Sequence, residues 1–154
     1  MTNSHFPYQK ILDLRSKETV QAKSQVAQAL RQQMDIESML VETGNDISRL
    51  QAKIEKKQIE GTSVHELRIL ADELNVLTMR RRKQQYELFS ARRTVMREQQ
   101  LLLHRQKEER KWSQLKEKHV TAWRDALKKD EQKQMDEIAN QRYHLSSTSS
   151  GYKR

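Results

Sequence analysis

The stretch Ile59-Glu60-Gly61-Thr62-Ser63-Val64-His65-Glu66 divides this chain into two helices. Gly61 suits the left-handed position just past a helix C-terminus, where a Cβ would be strained. Ser63 and Glu66 have the spacing of a capping box. The Ser63 hydroxyl can accept from the Glu66 backbone N–H, and the Glu66 carboxylate can return to the Ser63 N–H. A connection this short between long helices folds them into an antiparallel hairpin. Gly44-Asn45 is the other candidate break, but the apolar pattern runs through it in register, so it reads as a soft spot within a helix.

Periodicity on either side of the break specifies the helices. Steps of four and three from Ala22 visit Val26, Ala29, Gln33, Ile36, Leu40, Thr43, Ile47, Leu50, Ile54 and Lys57. After the break the same steps from Leu67 visit Leu70, Leu74, Leu77, Arg81, Gln84, Leu88, Ala91, Val95, Glu98 and Leu102. Each series of eleven holds eight apolar residues, where a chain that is 34% apolar would supply about four by chance. A narrow stripe of period 3.5 is the pattern of a left-handed coiled coil. Pro7 suits a first helical turn. The sequence therefore predicts helix 1 from about Pro7 to about Glu60, a turn over 60–63, and helix 2 from about Ser63 to about Tyr143. Residues 1–143 form a single antiparallel coiled coil, followed by a disordered tail over 144–154 that contains Ser-Ser-Thr-Ser-Ser-Gly. The fold class is all-α.

Composition agrees and excludes alternatives. The chain has 154 residues, 33% charged, with three Gly, one Pro and no Cys. Without Cys there is no disulfide framework and no thiolate metal site. So few turn residues cannot serve a β-sandwich or a series of α/β loops. The longest apolar run is Leu101-Leu102-Leu103, and the first twenty residues already carry Lys10, Asp13, Arg15, Lys17 and Glu18. The expectation is a soluble cytoplasmic protein with neither a membrane span nor a secretory signal.

Folding about Gly61 pairs residues whose numbers add to about 122. Ile47 then meets Leu74, Val26 meets Val95, and Tyr8 falls near Trp112 to Leu115. Helix 1 ends there, while helix 2 continues for about 25 residues as an overhanging C-terminal helix. Both tryptophans, Trp112 and Trp123, lie at or beyond the end of this cover. They can pack locally against Phe6 and Tyr8, or serve a partner, since Trp is enriched where binding energy concentrates.

Catalytic chemistry is missing from the pattern. No phosphate-binding loop, dinucleotide fingerprint, HExxH or nucleophile elbow occurs. The histidines at 5, 65, 104, 119 and 144 are too dispersed for a metal set, and a two-helix hairpin offers no water-poor pocket. Neither enzyme activity nor a cofactor is expected. The charge is the stronger signal. Residues 61–154 carry eight of the net nine positive charges, concentrated in Arg80-Arg81-Arg82-Lys83, Arg92-Arg93, Arg105 to Lys118 and Arg124 to Lys133. Nucleic acid would use such a stripe, but no helix-turn-helix or zinc finger is present, and carboxylates dilute the basic segments. An acidic protein partner fits better. The alternative is a basic coiled-coil scaffold or nucleic-acid-binding protein.

Two segments carry a family resemblance. The opening Phe6-Pro7-Tyr8-Gln9-Lys10-Ile11-Leu12-Asp13-Leu14-Arg15 resembles the start of the bacterial flagellar export protein FliJ family, with its paired aromatics, Lys, apolar pair and Leu-Arg. The segment Lys128-Lys129-Asp130-Glu131-Gln132-Lys133-Gln134-Met135-Asp136-Glu137-Ile138-Ala139-Asn140-Gln141-Arg142 is similar to that family's closing basic and Asp-Glu-aliphatic-Ala segment.

The resemblance implies a non-enzymatic, stalk-like component of type III protein export. Such a protein sits in the export ATPase (FliI) hexamer, promotes its assembly and activity, and contacts the cytoplasmic domain of the export gate protein FlhA. Some relatives bind export chaperones. It implies a cytoplasmic place at the inner face of the membrane at the flagellar base, and no small-molecule substrate. The candidate ATPase contacts under this resemblance are Lys10, Arg15, Lys17, Arg124, Lys128, Lys129 and Lys133, beside Trp112 and Trp123, which remain partner-binding candidates from their place at the end of the cover. The implied gate contacts near the middle of the hairpin are Leu50, Leu70, Leu74 and Leu77, where family members often carry aromatics and this chain has Glu73 and aliphatics.

Overall fold

The computed structural model describes residues 5–149 and consists of two α-helices joined by a short turn. Helix α1 spans Gln9–Glu60 and helix α2 spans Val64–Ser149. Among the described residues there is no strand. The helices pack against each other as an antiparallel coiled-coil hairpin.

The turn has the expected chemistry with one exchange of partners. Gly61 adopts a φ of 84°, so α1 ends on a left-handed glycine. Ser63 Oγ accepts from the Glu66 N–H at 3.2 Å, and the Ser63 carbonyl accepts the first α2 bond from the Leu67 N–H. The Glu66 carboxylate accepts from the Thr62 hydroxyl, where the sequence pattern expects the Ser63 N–H. Gly44 lies within unbroken helix, and the Ser48 hydroxyl donates to its carbonyl at 3.1 Å.

At the other end of α1, the Gln9 N–H bonds the Phe6 carbonyl at 3.2 Å, so Pro7 occupies the second position of a turn that delivers the chain to the helix. Its fixed φ pre-sets that turn rather than the first helical turn. The Tyr8 carbonyl accepts from Leu12 and opens the α-helical ladder.

The C-terminal boundary differs from expectation. The helix continues past Tyr143 to Ser149, and Ser146 and Ser147 donate their hydroxyls to the carbonyls of Tyr143 and His144. These bonds run along the helix, so a serine-rich segment need not leave it. Residues 150–154 of the expected tail lie outside the described residues.

The chain forms two compact units. One comprises residues 17–106, the other 1–16 with 107–154. In the 17–106 unit every member of the predicted α1 stripe is buried or half-buried, from Ala22 to Lys57. The α2 stripe matches from Leu67 to Leu102 except at Arg81, which is exposed. Arg81 lies where a buried guanidinium would lose its hydration. One turn earlier the half-buried Thr78 donates its hydroxyl to the Leu74 carbonyl instead. The two tightest positions hold small side chains, Thr19 and Ala22, followed by Thr43 and Ile47, with Ala29, Val95, Leu50, Leu88 and Leu70 filling the rest. Two helices cover only one face of each other, so no large described side chain falls below 2% exposure.

Ion pairs flank this seam. Arg105 Nη1 lies 3.1 Å from Glu18 Oε2, one residue from the register that folding about Gly61 predicts. Arg92 Nη2 reaches Glu37 Oε1 at 3.3 Å, seven residues farther along α2 than that register, within the span of a long Arg side chain.

Candidate partner-binding interface

The unit containing both ends of the chain is organised by aromatic rings. Phe6 is buried, at 4% exposure, between Tyr8 and His119. Its centroid lies 5.7 Å from Tyr8 in an edge arrangement and 5.6 Å from His119. Tyr8 in turn lies 5.7 Å from Trp112. Such tilted and edge contacts suit the ring quadrupoles. Trp112 is thus engaged within the chain, through the local packing that folding about Gly61 makes available. The residue is half-buried. Too far from the other histidines to share a metal, His119 packs instead on an aromatic ring. The turn at Pro7 aims Phe6 back at it, and nothing in the spacing of two residues so far apart in sequence announces this.

Along α2 the inward periodicity of half-burial continues through Arg105, Glu109, Trp112, Lys116, His119 and Trp123. It stops at Trp123. From Arg124 to Ser147 every residue is exposed, including Leu127, Met135, Ile138, Tyr143 and Leu145. This is the uncovered segment of α2.

The structure separates the candidates. Lys10, Arg15, Trp112, Trp123, Arg124, Lys128, Lys129 and Lys133 belong to this unit. Lys17 belongs to the 17–106 unit with Leu50, Leu70, Leu74 and Leu77. Lys10, Lys17, Arg124, Lys128, Lys129 and Lys133 are exposed, and Arg15 and Trp123 are half-buried. The start of the chain packs at Trp112 and His119, and Lys133 lies about 21 Å farther along the α2 axis than His119. The cations therefore form two groups instead of one cluster. The uncovered segment is also charge-balanced. Residues 124–147 hold Arg124, Lys128, Lys129, Lys133 and Arg142 against Asp125, Asp130, Glu131, Asp136 and Glu137. Leu50 and Leu70 are buried at 7% and 8%, and Leu74 and Leu77 are half-buried, all within the seam.

Among the described residues, no group of three or more His, Asp or Glu side chains is placed to hold a metal ion. None of the described helices is long and apolar enough to cross a membrane.

The family model "Flagellar FliJ protein" matches residues 4–148. The chain belongs to the FliJ family. That membership makes it a protein associated with type III export, and the match runs through both the hairpin and the uncovered end of α2. A solved structure from Chlamydia trachomatis, described as that of a YscO homolog, superposes on this FliJ-family chain with a TM-score of 0.62 at 17% identity. The superposition covers 94% of this chain and 98% of that one, and it shows a shared fold. No curated protein matches the chain.

Proposed function

We propose that this chain is a non-catalytic coiled-coil component of flagellar protein export, which engages the hexameric export ATPase, FliI, through the uncovered end of α2. The observation that carries this reading is the end of burial at Trp123. A helix that extends past its own partner, in a family tied to export, suits insertion into a ring of subunits. The balanced charges of 124–147 mean that Arg124, Lys128, Lys129 and Lys133 would act through local pairs with pore carboxylates rather than through net attraction. Lys10, Arg15 and Lys17 are candidates for a second contact, and Trp123 for an apolar anchor. The chain would promote assembly and ATP hydrolysis of the hexamer and link it to the cytoplasmic domain of the gate protein FlhA, at the inner face of the membrane at the flagellar base. All four gate candidates lie in the seam, and Leu74 and Leu77, which are half-buried, are better placed for the gate than the buried Leu50 and Leu70. Export chaperones are further candidate partners.

The test is ATP hydrolysis by the cognate export ATPase with and without this chain. Stimulation is expected, and Trp123→Ala combined with Lys128→Glu and Lys129→Glu should lose it. No stimulation by a folded native chain would overturn the reading.

A further inference from the structure

The positive charge of this protein sits away from the uncovered end of α2. Residues 80–107 hold nine basic side chains and only two acidic ones, Glu87 and Glu98. That is seven of the net nine positive charges of the chain, all within the 17–106 unit except Lys107.

The same part of α2 carries a second stripe of period 3.5, distinct from the seam. Steps of three and four visit Tyr86, Phe89, Arg93, Met96, Gln100 and Leu103. The seam takes Leu88, Ala91, Val95 and Leu102 instead, one or two positions away. Tyr86, Phe89, Met96 and Leu103 are 57–78% exposed, so four large apolar side chains face solvent in one row. Arg93 lies over the Phe89 ring, 5.9 Å from its centroid.

The ion pair between Glu37 and Arg92 shows what lies beside this row. On α1, Met34 and Val41 stand three and four residues from Glu37, on the same side of the helix. On α2, Phe89 and Met96 stand three and four residues from Arg92. The 3.3 Å contact brings those two sides together, and Met34 and Val41 are each 65% exposed. The hairpin therefore has a composite apolar face, with one row from each helix and a polar bridge between them.

We infer that this face is a docking site for an acidic amphipathic helix of another protein, which would pack on the hairpin as a third helix. The 3.5-residue spacing on α2 is the complement of a helix laid along it. Among the described residues, Arg82 and Arg93, which stand on this row, form no ion pair, so the charge along the face is left for carboxylates from outside. A second copy of this chain is a poor occupant, because the same cations would oppose themselves. Tyr86 and Phe89 are the two aromatics of this face, while Met34, Val41, Met96 and Leu103 are not, and this mixture favours a helix over single-stranded nucleic acid, whose bases would need a continuous row of aromatic platforms.

The probe is a fluorescein-labelled synthetic helix of about four heptads, with Leu and Ile at the seam positions and Glu elsewhere. Anisotropy with the full chain should show saturable binding of one peptide per chain. A sequence-scrambled peptide and a Lys-for-Glu analogue should bind at least about tenfold more weakly. Phe89→Ser with Met96→Ser should weaken the acidic peptide by about tenfold or more, and Arg93→Glu by several-fold, with unchanged helical circular dichroism because these side chains are exposed. Met96→Gln alone, a milder change, should weaken it measurably if the double variant fails to fold. Equal binding of the scrambled peptide, or undiminished binding by the folded Phe89 and Met96 variants, would overturn the inference. So would salt-sensitive binding of an oligo-dT of about 30 nucleotides at these residues without peptide binding.

Discussion

Arg105 donates from Nη1 to Glu18 Oε2 across 3.1 Å, joining side chains 87 residues apart in sequence. Their side chains retain 33% and 25% exposure, so water screens the pair only partly. It fixes the register of α2 on α1 at the far end of the seam from the turn. A double-mutant cycle with Glu18→Gln and Arg105→Gln should give a coupling of about 0.5–1 kcal/mol that shrinks in high salt. A coupling indistinguishable from zero at low salt would show that register is set by the apolar seam alone.

The two helical-hairpin glycines should respond to alanine in opposite directions. Gly61 has a φ of 84°, which an L side chain rarely adopts, so Gly61→Ala should destabilise by about 1 kcal/mol. Gly44 lies in ordinary helix, and a Cβ built there meets nothing within 4 Å, so Gly44→Ala should stabilise by about 0.5–1 kcal/mol. Urea melts of the two variants would read both signs.

Gln84 occupies a seam position and buries its Oε1 without a hydrogen-bond partner. An orphaned buried acceptor costs about 1–3 kcal/mol, and an aliphatic side chain of similar size would remove that cost. Gln84→Leu should therefore raise the melting temperature by several degrees, in line with about 1 kcal/mol. A fall instead would show that the amide is satisfied by water in solution.

Phe6 is the buried ring between Tyr8 and His119. Phe6→Ala should release the start of the chain from α2, speed amide exchange over residues 5–12, and shift tryptophan emission to the red as Trp112 loses cover. Exchange near Leu50 should not change. Protection that persists over 5–12 would mean that Tyr8 and Trp112 suffice to hold this end.

Residues 124–147 are all exposed. A chain truncated after residue 123 should therefore melt within about 1 °C of the full chain, since exposed helix adds little to a packed seam. It should nevertheless lose stimulation of the export ATPase. Retained stimulation would move the ATPase contact to the start of α1 or to the 17–106 unit.

The turn and the seam were legible because they are local or periodic. A glycine before a Ser-x-x-Glu box ends one helix and starts the next, and a 3.5-residue apolar repeat names the buried face. Arg81 broke the repeat by staying exposed with its guanidinium hydrated, whereas the charged Lys57 and Glu98 are half-buried at their stripe positions. The exposed row through Tyr86, Phe89 and Met96 follows the same period, but spacing alone does not separate it from the seam, which holds eight apolar members on the same helix. By itself, the sequence determined two helices, their turn, their inward faces and the family. Only the tertiary structure decided that Phe6 packs on His119, that Trp112 is engaged by Tyr8, that burial stops at Trp123, and that Glu37 meets Arg92. Each of these is a contact across large sequence separation. It depends on how far two helices overlap and how each is rotated, and neither is encoded in the spacing along one helix.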